Sequence, residues 1–337
     1  MNYKEIVQNV LVNGVPKQAT RYDSDGKVIP VENGTIGTFC EIFRHDMSKS
    51  FPLTTLRKMP WRSIRVELEG FIKGITDKVW YQVRRCGFWN EWSNPKEYEK
   101  LIGQEIPLSL TREQGHIDIY GVPTDSPTMI LNKIDAQFIC DDLGPIYGYQ
   151  WRSFGQSYDN GQSFDDLCID NKGIPDGFDQ LKSITDKLKT SPYDRRMVCS
   201  AWNPNQMDMQ ALPPCHWAFN VVVYGNKLNL IWHQRSCDLA LGVGANIASY
   251  ALLLLLLCEE SGLEPGELVG TLADCHLYEN TLTSAKLMVQ RDENPLPSVK
   301  IKRKEDGSFS IFNWEWNEVE LIGYDPHPAI DMGSVTV

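Results

Sequence analysis

The chain has 337 residues, 42% of them hydrophobic and 23% charged, an ordinary globular composition that can bury a core without disulfide or metal staples. Thirty-three Lys and Arg against 44 Asp and Glu leave a net charge of -11, which excludes a whole-molecule electrostatic grip on nucleic acid and leaves room only for a local basic pocket. Nine cysteines without a Cys-x-x-Cys pair or a His/Cys cluster read as reduced thiols in a cytosolic setting.

The opening MNYKEIVQNV mixes acid, amide and base, so it is not a signal peptide. Over 60–74, Ile64, Leu68, Phe71 and Ile72 recur at helical spacing up to a closing glycine, with Glu67 beside the apolar stripe. No repeat or linker composition appears, so the reading is one domain over 1–337 with an insertion at about 95–140, begun by Asn94-Pro95, whose fold the sequence does not show. In 212–238, two β-rich runs flank Gly225-Asn226 and predict a hairpin with a two-residue turn. That register sets Cys215 opposite Ser236 and diagonally beside Arg235, bringing a thiol into contact range of a guanidinium. The run Leu252–Leu257 lies in a predicted helix over 245–260, closed by Ser261-Gly262. Its apolar stretch falls far short of the roughly 20 residues of a membrane span, so a central core helix is expected.

An adjacent cation favours the thiolate, which makes Cys215 a candidate nucleophile, although a lone Cys is more often buried structure. Pro213-Pro214 stiffens its approach and His216 follows it. No metal site is expected, because the six histidines never pair at i,i+3 or i,i+4 with acidic support. Gly242-Val243-Gly244 lacks the strand-turn-helix setting of a phosphate loop.

PPCH at 213–216, QRSCD at 234–238, NIASYALL at 246–253, DCHLY at 274–278, DLGPIYGYQWR at 142–152, RRMVCSAWNP at 195–204 and GYDPHP at 323–328 together resemble the thymidylate synthase family, in family order over most of the chain. The resemblance implies an α+β fold with a large mixed sheet, helices packed on one face, and two subunits joined through the backs of their sheets. It implies folate-dependent one-carbon transfer from 5,10-methylenetetrahydrofolate to C5 of dUMP. Cys215 would add to C6 of the pyrimidine. Arg235 and Ser236 would hold the nucleotide phosphate, helped by Arg195 and Arg196 lent across a homodimer, as suits bidentate guanidinium groups. Glu67 would work through ordered water in proton transfer, with Tyr147 near the reacting centre. His276 and Tyr278 would bind the deoxyribose hydroxyl, with His216 on the substrate side. Asp238 would hold the pterin, with Trp89 and Trp92 of the W-x-E-W segment, Gly242, Ala245 and the terminal Val337 on the cofactor side. No membrane or nucleic-acid partner is implied.

Asn246 carries its own argument: an amide can donate to uracil O4 and accept from N3–H, which fits dUMP better than dCMP. Four places depart from the resemblance. Gly244-Ala245 stands for Pro-Phe, Asn220 for glutamine, Asn33 for a phosphate-closing arginine, and Leu56-Arg57-Lys58 matches the folate lysine imperfectly. Losing an aromatic side chain at a packed site costs about 3 kcal/mol or leaves a gap that water fills. A wet pocket favours water addition to a C5-methylene intermediate and a dry one favours hydride transfer. On that basis the expected product is 5-hydroxymethyl-dUMP, the reaction of a dUMP hydroxymethylase such as a phage uses in its host's cytoplasm. The alternatives are dTMP with dihydrofolate, the thymidylate synthase reaction, and a non-catalytic nucleotide- or RNA-binding relative.

Overall fold

Asn2 starts the first helix, α1 (Tyr3–Asn13), by accepting the Glu5 N–H while Glu5 reaches back to the Asn2 N–H, a capping box. Its buried stripe is Ile6, Val7 and Val10. The computed structural model describes residues 1–18, 20–22, 27–31, 33–107, 128–158 and 177–333. Two compact units interleave along the chain: Met1–Ile64, Ile184–Cys199 and Cys215–Val337 in the first, Arg65–Ser183 and Ser200–Pro214 in the second.

The first unit is built on a mixed sheet. In chain order the strands are β1 (Val15–Lys17), β2 (Thr20–Tyr22), β3 (Val28–Pro30), β4 (Thr35–Asp46), β5 (Glu105–Pro107), β6 (Thr128–Ile130), β7 (Val198–Ser200), β8 (His216–Tyr224), β9 (Lys227–Asp238), β10 (Glu264–Tyr278), β11 (Ser298–Ile301) and β12 (Val319–Ile322). Six of them form one sheet in the order β1-β4-β10-β9-β8-β7, and the others pair as two-stranded ribbons. β1 with β4, β4 with β10 and β8 with β9 are antiparallel, while β9 and β10 run parallel.

A parallel pair needs a crossover, and the chain supplies it with the expected core helix, which spans Val243–Ser261 and ends in a left-handed Gly262. By length and composition this helix could cross a membrane, but 72% of its most apolar window is buried within the protein. Its anchor to the sheet is Tyr250, stacked on Trp232 at 5.3 Å and 8°. Gly270 makes room for that indole, since a Cβ there would lie 2.4 Å from it.

The β8–β9 hairpin turns at Gly225-Asn226 as predicted, with Tyr224 opposite Lys227. The register shifts between His216 and Ala218, so a bulge at Trp217 moves the earlier residues by one. Cys215 therefore lies opposite Arg235 and not Ser236, with the Arg235 N–H donating to the Cys215 carbonyl at 2.8 Å.

The 60–74 pattern forms α2 (Trp61–Lys73), ended by Gly74 at φ 72°. The second unit continues through α3 (Lys78–Val83), α4 (Pro95–Leu101), α5 (Lys133–Ile139) and α6 (Tyr147–Ser153), before α7 (Gln180–Thr190). Within the stretch read as an insertion, α4 and α5 share a small core of Tyr98, Leu131, Ala136 and Cys140. The fully buried Lys78 ammonium ties α5 to the tryptophan segment, donating to the carbonyls of Trp92, Gln137 and Phe138 and to Ser93 Oγ. Burial lowers that lysine to about 8.

Candidate active site

In the first unit most of the expected residues meet at one end of the sheet. There β9 and β10 finish, β8 begins and the core helix starts. Cys215 is a partly exposed, reduced thiol at the mouth of β8. Beside it His216 is buried, with Nδ1 2.9 Å from the Tyr250 hydroxyl; burial lowers its imidazole to about 3, so it is neutral. Arg235 is exposed and Ser236 half-buried.

Asn246 sits in the first turn of the core helix, half-buried. Its amide is oriented by a chain of bonds that begins with a group of fixed polarity. The Trp232 indole only donates, so the Gln234 oxygen it meets at 3.2 Å is the carbonyl. Gln234 Nε2 must then donate, to Ser236 O at 3.0 Å and to Asn246 Oδ1 at 3.1 Å. The Asn246 Nδ2 end is thereby left for a ligand, and Oδ1 keeps a second lone pair.

His276 and Tyr278 cross edge-to-face at 5.2 Å and 87°. Burial raises the Tyr278 hydroxyl, and charges at Asp238, Cys215 and Asp274 raise it further, which places the phenol among them. Asp238 caps the turn after β9 by accepting the Ala240 and Leu241 N–H groups at 2.9 and 3.1 Å. Its carboxyl is raised by burial against the lowering pull of those bonds, His276 and Arg57. The same turn is held from beneath, where Arg57 Nη2 donates to Ala240 O at 2.6 Å and the Tyr3 hydroxyl to Leu239 O at 2.5 Å. At Gly244 a Cβ would be 3.2 Å from Met59 Cε and 3.6 Å from the Tyr3 ring, and Ala245 is buried. Gly242 precedes the helix without a side-chain cap. Arg195 and Arg196 are both exposed, the latter 3.6 Å from Asp194.

The second unit gathers another set around Glu67 of α2. Phe71 stacks on Tyr147 at 4.9 Å and meets Trp89 and Trp151 edge-on, and all four rings are buried. This contact depends on Gly148, where a Cβ would lie 2.5 Å from the Phe71 carbonyl. Glu67 keeps some solvent-accessible surface, yet its carboxyl is crowded enough that desolvation raises it to about 8. The Trp89 indole lies near enough to lower it somewhat, though outside full hydrogen-bond geometry. At neutral pH Glu67 therefore carries its proton. Trp92 is half-buried beside Lys78.

Val337 lies outside the described residues. Among the described residues no cluster of His, Cys, Asp and Glu suits a metal ion. Gln234, Trp232 and Tyr250 carry site geometry that sequence reasoning did not assign. Gln234 was visible in the QRSCD motif, but nothing in the sequence shows which way an amide points. A folate fits the second unit's polar remainder, because Trp89 Nε1 and Asn90 Oδ1 are a buried donor and acceptor without protein hydrogen-bond partners beside an aromatic wall.

The chain matches the family model described as Thymidylate synthase over residues 1–336. It is 36% identical over 318 residues to the thymidylate synthase of Mycoplasma pneumoniae, covering 93% of this chain and 95% of the relative. To the thymidylate synthase of Mycoplasma genitalium it is 36% identical over 328 residues, 97% of each. An α+β chain matched from end to end in this way belongs to the thymidylate synthase family, folate-dependent one-carbon transferases that act on dUMP with 5,10-methylenetetrahydrofolate.

Proposed function

We propose that this chain converts dUMP to dTMP, with Cys215 as the nucleophile that adds to C6 of the pyrimidine. 5,10-Methylenetetrahydrofolate supplies the one-carbon unit and the hydride. The packing at Gly244 carries this reading over water addition. The aromatic side chain missing at 244–245 suggests a gap, but Ala245 is buried, and a Cβ added at Gly244 would already lie 3.2 Å from Met59 Cε and 3.6 Å from the Tyr3 ring. Dry packing disfavours attack by water on the methylene-bearing nucleotide.

Each residue then has a task that its surroundings support. Arg235 favours the Cys215 thiolate electrostatically and, with Ser236, binds the phosphate. The oriented Asn246 amide donates to O4 and accepts from N3–H. His216, neutral, hydrogen-bonds on the substrate side without competing for the anion. His276 and Tyr278 take the deoxyribose hydroxyl. Glu67, protonated at neutral pH, is suited to deliver and recover a proton through water at the pyrimidine carbonyl. The resemblance assigns Trp89 and Trp92 of the second unit, and Asp238, Gly242 and Ala245 of the first, to the folate, and Tyr147 backs Trp89 at 6.1 Å. Arg195 and Arg196 serve the phosphate of a partner subunit in a homodimer.

One observation favours 5-hydroxymethyl-dUMP instead: Ala245 still offers a folate only a methyl group where an aromatic face would seal the site. The viral setting belongs to that second reading. The test is incubation with dUMP and methylenetetrahydrofolate, following dihydrofolate absorbance while the nucleotide product is weighed. A dTMP mass with stoichiometric dihydrofolate is expected. A product heavier by one oxygen, without dihydrofolate, overturns the packing argument and makes the enzyme a hydroxymethylase.

A further inference from the structure

Three reduced thiols lie in a row across neighbouring strands of the first unit. Cys215 precedes β8 and is bonded through its carbonyl to the Arg235 N–H of β9. Cys237 stands two residues beyond Arg235, and Cys275 of β10 is its registered neighbour on the far side. Cys237 and Cys275 are fully buried, whereas Cys215 is partly exposed. Registered residues on adjacent strands lie about 4.8 Å apart, inside the roughly 4.4–6.8 Å Cα separation of a disulfide. The two buried thiols are registered neighbours, with Cys237 Sγ donating to Gln234 O at 3.6 Å and Cys275 Sγ to Leu272 O at 3.5 Å, and the nearness of Cys275, burial, and charges at Cys215 and Asp274 hold Cys237 far above the usual thiol range. A buried, firmly protonated thiol does not react with an oxidant in solution. Of these three thiols only the partly exposed Cys215, opposite Arg235, is open to an oxidant from solution.

We propose that Cys237 and Cys275 form a resolving pair that receives peroxide oxidation from Cys215 and stores it as a buried disulfide. The Cys215 thiolate attacks hydrogen peroxide, forming an S–O bond as the O–O bond breaks, and the departing hydroxide takes up the proton the thiol had released, leaving Cys215 sulfenic acid and water. The Cys237 sulfur then attacks the Cys215 sulfur, and hydroxide departs with the Cys237 proton as water. Cys275 next attacks Cys237, its proton passing to Cys215, so that Cys237–Cys275 is the final disulfide and Cys215 is again a thiol. Two thiols lose two electrons and two protons, and one peroxide becomes two waters. The first transfer spans a diagonal, about 7–8 Å between Cα atoms, slightly beyond disulfide reach. Cys215 lies outside the hydrogen-bonded ladder, next to the Trp217 bulge, so a shift of about 1 Å at a strand end closes it.

The inference takes Cys215 as the reactive thiol assigned above, but its test reads sulfur chemistry and not nucleotide turnover, so the two can fail separately. The intact protein is treated with near-stoichiometric hydrogen peroxide, alkylated, digested without reductant and analysed by mass. The expected result is a peptide pair joined through Cys237 and Cys275, two hydrogens lighter than its parts and released by dithiothreitol, with Cys215 still alkylated. In Cys275→Ser that pair is absent and the relay stops at a linked Cys215–Cys237 peptide pair, whereas in Cys237→Ser Cys215 passes to sulfinic acid about fivefold faster or more. Cys275→Thr repeats the test with a β-branched residue suited to a strand, should serine disturb the fold. In Cys215→Ser the buried pair stays reduced. Absence of the linked peptide from the native protein, or its undiminished formation in Cys215→Ser, overturns the proposal.

Discussion

A side-chain amide reads uracil only when its two ends are told apart, and here that information originates in a group with no choice. The Trp232 N–H sets Gln234, and Gln234 sets Asn246. Replacing Gln234 by Leu keeps comparable bulk but frees the Asn246 amide to flip and leaves the buried indole donor unpaired. Lost hydrogen bonds of this kind cost about 1–3 kcal/mol, so kcat/KM for dUMP should fall about 10- to 100-fold and its ratio to that for dCMP should shrink, as steady-state kinetics on both nucleotides will show. Glu67 makes a different case, because burial raises an acid to about 8. The folded state holds this proton more tightly than the unfolded chain, so its stabilising contribution is full below the ordinary carboxylate range and is lost as pH rises from there through about 8. Glu67→Gln removes the titration. The variant should melt higher than the native enzyme above pH 8, match it more closely at low pH, and lose about 100-fold or more in kcat along with the limb near pH 8.

Between elements, close approach is set by small residues whose reason is invisible until the partner is seen. Gly148 lets the start of α6 come down on α2 so that Phe71 stacks against Tyr147. Gly148→Ala forces a methyl against the Phe71 carbonyl, and overpacking of this kind costs about 1–3 kcal/mol. Denaturant unfolding should show that loss, with altered near-UV dichroism from the buried rings. The helix over 60–74 and the core helix were legible because apolar spacing and closing glycines are local signals. The β8–β9 turn was legible for the same reason. The bulge at Trp217 was not, because one extra residue leaves the apolar alternation of the pairing beyond it unchanged, and so the residue opposite Cys215 was misjudged by one place. The closeness of Met59 and Tyr3 to Gly244 was equally hidden, since those side chains come from positions 59 and 3.

At the scale of the whole molecule the sheet of the first unit has unequal faces. The core helix covers one, where Leu228, Leu230 and Trp232 are buried, while Asn229, Ile231 and His233 of the alternate face stay half-exposed beside an exposed Trp217. A partly uncovered sheet face that carries Ile231 and Trp217 is the surface on which a second copy would pack in the proposed homodimer. Arg195 and Arg196, exposed in the single chain, are then the groups each copy lends to the other. This arrangement makes a quantitative demand. A Cys215→Ser chain lacks the nucleophile but carries intact arginines, whereas an Arg195→Ala/Arg196→Ala chain lacks the arginines but carries the thiol. Each homodimer should be inactive or nearly so. In a heterodimer one site combines the thiol of one chain with the arginines of the other, and the second site lacks both. Equal mixing through reversible unfolding gives half heterodimers with one working site of two, so about a quarter of native activity should return. Mixed activity equal to the mean of the two parents would mean that the arginines act within their own chain.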